Sequence, residues 1–275
     1  MIITIDTGGT KTLVSSFGQN GRMGESIKFP TPSKPKDYVE TLKTVVRERY
    51  AHESVDVIVV ALPGIIRDGV AVWCQNLKWS NFEAAKALKD LLPGVPVLID
   101  NDANLAGLAE TRALHPVPVS SLYITISTGI GSGICTNGFI DPGLRYSEAG
   151  RALVEYDGKV RPWESFASGH AIVDVYKKFA RDITSKRTWR QIADRISRGF
   201  LAVIPILQPD VIIIGGSVGT YFDRYAVYLE GILTEHLPPH IPCPRIVQAQ
   251  HPEEAVIYGC YYYGKDYLAG TNATK

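Results

Sequence analysis

Apolar runs and glycine-rich breaks alternate along this chain in an order that occurs twice. An apolar, strand-like run over 2–5 leads into Asp6-Thr7-Gly8-Gly9, and another over 122–126 leads into Ser127-Thr128-Gly129. Each copy continues through a second extended stretch to an Asn-Gly step, Asn20-Gly21 in the first and Asn137-Gly138 in the second. That step between extended segments signals a hairpin. Residues 1–29 and 122–140 therefore read as two copies of strand, glycine-rich turn, strand, turn, strand. In the first half, Val39, Leu42, Val45 and Val46 fall at helical spacing and predict a helix over 36–50. Residues 55–62 are continuously apolar, as in a strand buried on both faces, and Pro63-Gly64 ends them. A helix over 82–92, a buried strand over 95–99 and a helix over 103–114 follow. His115-Pro116-Val117-Pro118 breaks that helix and is the best linker candidate. The second half continues with helical stretches over 163–180 and 189–207, the latter with Pro205 near its end. A buried strand over 211–214, a helix over 222–236, a short strand over 245–248 and a helix over 255–268 complete it. This alternation predicts an α/β protein of two domains, each a mixed sheet flanked by helices.

Composition narrows the function classes. The 275 residues suit two domains of ordinary size. A hydrophobic share of 45% and a charged share of 21% are those of a globular protein. The net charge of +1 argues against a general affinity for nucleic acid or acidic membranes. No apolar run approaches the ~20 residues that span a bilayer, and the chain opens on a strand with no basic leader, so no signal peptide is expected. The four cysteines, Cys74, Cys135, Cys243 and Cys260, fit no metal spacing and read as reduced thiols of a cytoplasmic protein. In that compartment the Asn272-Ala273-Thr274 sequon carries no meaning.

The repeated loops carry the candidate chemistry. Asp6-Thr7-Gly8-Gly9-Thr10-Lys11-Thr12 is not the common P-loop, because a strand rather than a helix follows it. Its glycines still let backbone N–H groups approach a phosphate. Lys11 or Thr10 adds a charge or a hydroxyl, and Asp6 is suited to hold Mg²⁺ through water. The alternative is a plain hairpin turn, against which the second copy weighs. Ser127-Thr128-Gly129-Ile130-Gly131 is a neutral donor loop with no acid where the first has Asp6. Two such loops facing each other would grip a polyphosphate. Asp100-Asn101-Asp102 stands where a buried strand meets a helix, a position where α/β folds place ligands. Asp102 is suited to take a proton from an attacking hydroxyl, or to cap the helix, and Asn101 to orient that substrate. Gly215-Gly216-Ser217 would let a nucleoside pack on backbone, or make a tight turn. Glu148, Arg151, Glu164 and His170 lie between the second strand unit and the helices, and by themselves read as surface charges.

At these residues the chain resembles the ROK family of sugar kinases and repressors, in the actin, hexokinase and Hsp70 superfamily. Asp6-Thr7-Gly8-Gly9-Thr10-Lys11 is similar to the family's first phosphate motif, and Ser127-Thr128-Gly129-Ile130-Gly131 to its second. Leu62-Pro63-Gly64 and Asn76-Leu77-Lys78-Trp79 resemble two further landmarks, and Asn101-Asp102-Ala103-Asn104 the catalytic motif. Pro209-Asp210-Val211-Ile212-Ile213-Ile214-Gly215-Gly216 resembles the adenosine motif.

The resemblance implies two actin-like, ribonuclease H-like α/β domains closing on ATP, Mg²⁺ and a sugar, with the site in the cleft between them. The first domain would be 1–115 with 258–275, and the second 116–257. Asp102 would be the general base, and Asn101, Asp102, Glu148, Glu164 and Gly64 would line the sugar side. Asp6, Gly8, Gly9, Thr10, Lys11, Thr128, Gly129, Gly215 and Gly216 would bind the nucleotide. A homodimer is also implied.

Two departures stand out. Ser147-Glu148-Ala149-Gly150-Arg151 has arginine where the family carries a histidine that is both a zinc ligand and a sugar contact, and the cysteine cluster that follows in the family is missing. Residues 156–163 take its place, so no structural zinc is expected. The reading is a kinase that transfers the ATP γ-phosphate to a hexose hydroxyl, with glucose the leading substrate. A polyphosphate-using kinase and a catalytically silent sugar binder are the alternatives. A repressor is disfavoured, because a phosphate motif that starts at Asp6 leaves no room before it for a helix-turn-helix.

Overall fold

The computed structural model describes residues 1–251 and 254–270, so the Asn272-Ala273-Thr274 sequon lies outside the described residues. The chain divides into two compact units, Met1–Ala109 with Glu254–Lys275, and Glu110–Glu253.

The first unit opens with strands β1 (Ile2–Thr7), β2 (Lys11–Phe17) and β3 (Ile27–Pro30) and helix α1 (Pro35–Tyr50). Pro35 suits the first helical turn, where its missing N–H costs nothing. Tyr38, Leu42 and Val46 face the core on one side of α1. Strand β4 (Val57–Leu62), buried along its whole length, follows. A small antiparallel sheet of β5 (Ile65–Arg67), β6 (Val70–Cys74) and β7 (Trp79–Phe82) comes next, then helix α2 (Ala84–Leu88), strand β8 (Val97–Asn101) and helix α3 (Asp102–Ala113).

The main sheet has the order β3-β2-β1-β4-β8. Strands β1, β4 and β8 run parallel, so Asp6, Ala61 and Asp100 form one row, and Leu62 and Asn101 pair in the next. The functional segments thus sit together at the C-terminal ends of parallel strands. On one face Ile3, Ile5, Val14, Ile58 and Val60 meet α1 in a buried apolar core.

The second unit repeats the plan. Strands β9 (Ser120–Ile126), β10 (Ile130–Thr136) and β11 (Phe139–Ile140) form the three-strand unit. The turn at Asn137-Gly138 has positive φ at both residues, as a two-residue hairpin of this hand requires. A hairpin of β12 (Leu153–Tyr156) and β13 (Lys159–Pro162) leads to helices α4 (Glu164–Ala167), α5 (Gly169–Tyr176) and α6 (Lys186–Leu207). Strand β14 (Val211–Gly215), the short helix α7 (Gly216–Gly219), helix α8 (Ala226–His236) and strand β15 (Arg245–Gln248) close the unit. Its sheet order, β11-β10-β9-β14-β15, matches the first sheet position by position. The final helix α9 (Ala255–Leu268) belongs to the first unit and packs on β1 and β4. Gly259 lets it approach α3, since a side chain there would begin 1.9 Å from the Leu105 carbonyl oxygen.

Each unit is thus a mixed five-stranded sheet with helices, the expected α/β class. Among the described residues no helix is long and apolar enough to cross a membrane.

Several elements differ from the sequence-based expectation. The helix expected over 82–92 is only Ala84–Leu88, because β7 claims Phe82 for pairing with Ala71. The helical stretch expected over 163–180 is broken at Ser168, whose hydroxyl caps α5 by accepting from the Ala171 N–H. The helix expected over 222–236 starts at Ala226, after the one-turn segment Phe222–Arg224 and a buried Tyr225 stacked on Trp189. The helix expected over 189–207 starts earlier, at Lys186, where the Ser185 hydroxyl caps it by accepting from the Thr188 N–H, and it runs past Pro205 to Leu207 as expected.

Candidate active site

In the first unit the turn between β1 and β2 holds Gly8, which is partly buried, and the exposed Gly9 and Thr10, with the exposed Lys11 opening β2. Thr31 braces this turn: its hydroxyl donates to the Gly8 carbonyl at 2.8 Å and its N–H to the Thr10 carbonyl at 3.1 Å. Gly9 lies against Asn76, where an added side chain would begin 3.1 Å from Cβ. Thr7 and Tyr38 share a buried hydroxyl–hydroxyl bond of 2.7 Å that anchors the end of β1.

At the β8–α3 junction the cap falls to Asn101 rather than to Asp102. Asn101 Oδ1 accepts the N–H groups of Ala103 and Asn104 at 2.8 and 3.1 Å. Its Nδ2 donates to the Gly64 carbonyl at 2.6 Å. Gly64 has φ +88°, and a side chain there would begin 2.2 Å from the Trp73 carbonyl oxygen, so only glycine fits. Asp100 accepts from the Asn101 N–H and from Asn104 Nδ2, which stiffens the corner further. Asp102 is left as the first helical residue, its Oδ1 accepting from the adjacent Ala103 N–H at 2.8 Å.

Electrostatics mark this corner. Burial, then the negative charge of Asp6, pushes the Asp102 carboxyl up to about 7. Burial pushes Asp6 up to about 6, against the pull of the Lys28 ammonium. Two carboxylates that both resist ionisation suit a site that receives a cation. Among the described residues no three His, Cys, Asp or Glu side chains gather to hold a metal ion. Magnesium needs no such cluster, since it keeps much of its water and takes phosphate oxygens. Asp6 therefore fits a water-mediated magnesium contact. Lys28 was not singled out from sequence. It enters because β3 brings it into the same register row as Leu13 and Asp6.

In the second unit, Ser127, Thr128 and Gly129 form the turn between β9 and β10, with Thr128 exposed. The turn closes on itself through the Ser127 N–H to the Gly129 carbonyl at 2.9 Å. Gly215 ends β14 beside it and Gly216 opens α7: a side chain on Gly216, at φ +80°, would collide with Ile126 backbone at 2.6 Å. Ser127, Thr128 and Gly216 border a pocket of ≈ 610 Å³ that runs on past Ser217 to Phe179, Arg181 and Tyr221. The size is ordinary for a small-molecule site. Phe179 is exposed within it, with the Arg181 guanidinium 4.8 Å over its ring. His170, which by itself reads from sequence as a surface charge, lines the same pocket from α5.

Glu148 and Glu164 also belong to this unit. Ser132 fixes the segment that carries Glu148, donating to the Ser147 carbonyl and accepting from the Ala149 N–H, both at 3.0 Å. Glu164 opens α4 and pairs with Arg151 at 2.8 Å. Residues 156–163, in the place of the family's cysteine cluster, form the end of β12, the turn and β13, held by aromatic and guanidinium packing. Tyr156 stacks on Phe166 with ring centroids 4.6 Å apart, and Arg161 and Arg195 both lie over Tyr156. Trp163 is fully buried against Gly199, just before Glu164.

The ROK family model matches residues 2–266. The chain belongs to the ROK family. Among ROK relatives it is 29% identical to an N-acetylmannosamine kinase of Shigella flexneri over 245 residues, covering 79% of this chain and 83% of that protein. Among solved structures it is similar to the inorganic polyphosphate/ATP-glucomannokinase of Arthrobacter sp. strain KM, at 28% identity and a TM-score of 0.71, covering 96% of this chain and 98% of that one. It shares its fold with a ROK family glucokinase of Streptomyces griseus crystallised with glucose and AMPPNP. That match has 21% identity and a TM-score of 0.77 over 94% of this chain and 97% of that one.

Proposed function

We propose that this protein is a sugar kinase that moves the γ-phosphoryl group of ATP onto a hydroxyl of a hexose. Asp102 carries the reading: a carboxylate at the strand ends, relieved of the capping role by Asn101 and raised to about 7. A base poised near neutrality is what proton removal from an alcohol in the transition state requires. Asp102 accepts the hydroxyl proton as the sugar oxygen bonds to the γ-phosphorus, and the bond to the departing ADP oxygen breaks. Asn101, whose amide has a second hydrogen beyond the one given to Gly64, and Gly64 itself line the sugar side. Glu148 and Glu164 are the further hydroxyl acceptors.

Asp6 holds Mg²⁺ through water. When bound, the ion neutralises charge on the phosphate oxygens. Gly8, Gly9, Thr10 and Lys11 offer backbone N–H, hydroxyl and ammonium donors to the phosphates, and Thr128 and Gly129 do so from the second loop. Gly215 and Gly216 form the backbone turn against which the adenosine packs, Gly216 lining the pocket that Phe179 and Tyr221 share.

Glucose is the leading acceptor, and the N-acetylmannosamine kinase relative gives reason to rank N-acetylmannosamine beside it. A second donor is supported by the likeness to the polyphosphate/ATP-glucomannokinase, since phosphate loops do not read a base. The test is ADP release from Mg-ATP with glucose, mannose, fructose, N-acetylglucosamine and N-acetylmannosamine. Turnover with one sugar well above the rate without sugar is expected. No sugar-dependent release with ATP, nor sugar phosphate formed from polyphosphate, would reduce the protein to a silent binder.

A further inference from the structure

The second glycine loop is gripped at both ends by one short segment. At one end the Gly169 N–H donates to the Ser127 carbonyl at 2.7 Å. At the other, Glu164 Oε2 accepts the Ile130 N–H at 3.3 Å. That oxygen lies 2.8 Å from where a side chain on Gly129 would begin, so the carboxylate is directly against the loop.

A carboxylate is an awkward neighbour for a loop that receives phosphate. Like charges at this range repel, and most strongly where water is partly excluded. Glu164 is only 20% exposed, so solvent does little to screen it. The compensating charge is Arg151, whose guanidinium meets Glu164 Oε1 at 2.8 Å. Arg151 is itself held in place. It ends a one-turn segment in which Gly150 packs on Ile130, where any side chain would begin 2.2 Å from the carbonyl oxygen.

We propose that the Arg151–Glu164 pair is a positioning device for the phosphate loop. Glu164 fixes the loop through Ile130, and Arg151 cancels its charge so that the loop accepts an anion. The proposal rests on the reading of Ser127-Thr128-Gly129 as a phosphate loop, and it holds independently of any contact Glu164 makes with sugar. It gives Arg151 a task in donor binding rather than in acceptor recognition.

The test measures Mg-AMPPNP affinity calorimetrically in the absence of sugar, where a purely sugar-contacting residue has no influence. Arg151→Ala leaves the carboxylate uncompensated and weakens binding about tenfold. Removing the charge as well, in Arg151→Ala/Glu164→Gln, restores affinity to within about threefold of the parent, a coupling that two independent structural lesions would not show. Arg151→Lys, which keeps the charge, binds within about threefold of the parent. Parent-like affinity in Arg151→Ala overturns the proposal, as does a double variant no better than Arg151→Ala, or equal losses in the Ala and Lys variants. A parent protein that binds neither Mg-AMPPNP nor Mg-tripolyphosphate overturns the phosphate-loop reading, and this proposal with it.

Discussion

Burial, and then the negative charge of Asp6 across the C-terminal ends of the first sheet, raise the pKa of Asp102. The two residues lie far apart in sequence, and the parallel run of β1, β4 and β8 brings their segments together. One is suited to a cation and the other to a proton.

The first consequence is a pH dependence. Asp102 must be ionised to accept a proton, and its carboxyl is held up to about 7. The value of kcat/KM should therefore fall on the acid side with an apparent pKa near 7 and level off above it. If Asp6 holds magnesium as proposed, the ion would offset the repulsion, so raising the free magnesium concentration should shift the inflection to lower pH. A profile flat down to pH 5 would contradict the assignment.

The same shift costs stability. The folded protein holds the Asp102 proton to higher pH than the unfolded chain does, so the folded state binds more protons between the two pKa values. Stability is therefore lost as pH rises from about 4 to about 7. Asp102→Asn removes the ionisation and should stabilise the metal-free protein at pH 8 by roughly 1 kcal/mol after discounting for partial solvent screening, a Tm gain of about 3 °C. At pH 4 the gain should vanish. Thermal melts in EDTA at the two pH values check this, and a variant less stable than the parent at pH 8 would count against it.

Phe179 is exposed in the second unit's pocket, with Arg181 over its ring. An apolar ring kept at a pocket wall is explained if a flat base covers it. Phe179→Ala should raise the KM for ATP by about fivefold while leaving the KM for sugar unchanged. If polyphosphate also serves as donor, its KM should not respond. Steady-state kinetics with each donor decide this, and an unchanged KM for ATP would remove Phe179 from the base site.

Much of this was legible in the sequence where local pattern and tertiary structure agree. The two Asn-Gly hairpins, the buried β4 and β14, and the helices α1, α3 and α9 follow from periodicity and turn residues within single windows. The loops of Asp6 and Ser127 were legible because they repeat. The small sheet of β5, β6 and β7 was not. Its strands are only 3 to 5 residues long, and Lys78 and Asn81 take positive φ without the glycine that would signal a turn. The β12–β13 hairpin did carry a local signal, the Asp157-Gly158 turn with positive φ at both residues. It went unread because the flanking strands are only 4 residues long and are held by packing of Tyr156 on Phe166 and of two arginines over Tyr156.

The site was legible in its motifs and illegible in its partners. Asp102 carried two readings in the sequence, cap or base, and the side chain of Asn101 resolves the capping half of that choice. Lys28, Phe179, Arg181 and Tyr221 sit far from the motifs they join, and only strand register and pocket shape connect them. The ion pair between Arg151 and Glu164 spans two segments that the sequence presents as isolated charges.

The most direct test of the central claim is the turnover of Asp102→Asn with the best sugar, measured beside its affinity for Mg-AMPPNP. If Asp102 is the base, kcat falls about a thousandfold while nucleotide affinity stays within about threefold of the parent. A variant that keeps kcat within about tenfold of the parent would place the base elsewhere and contradict the account.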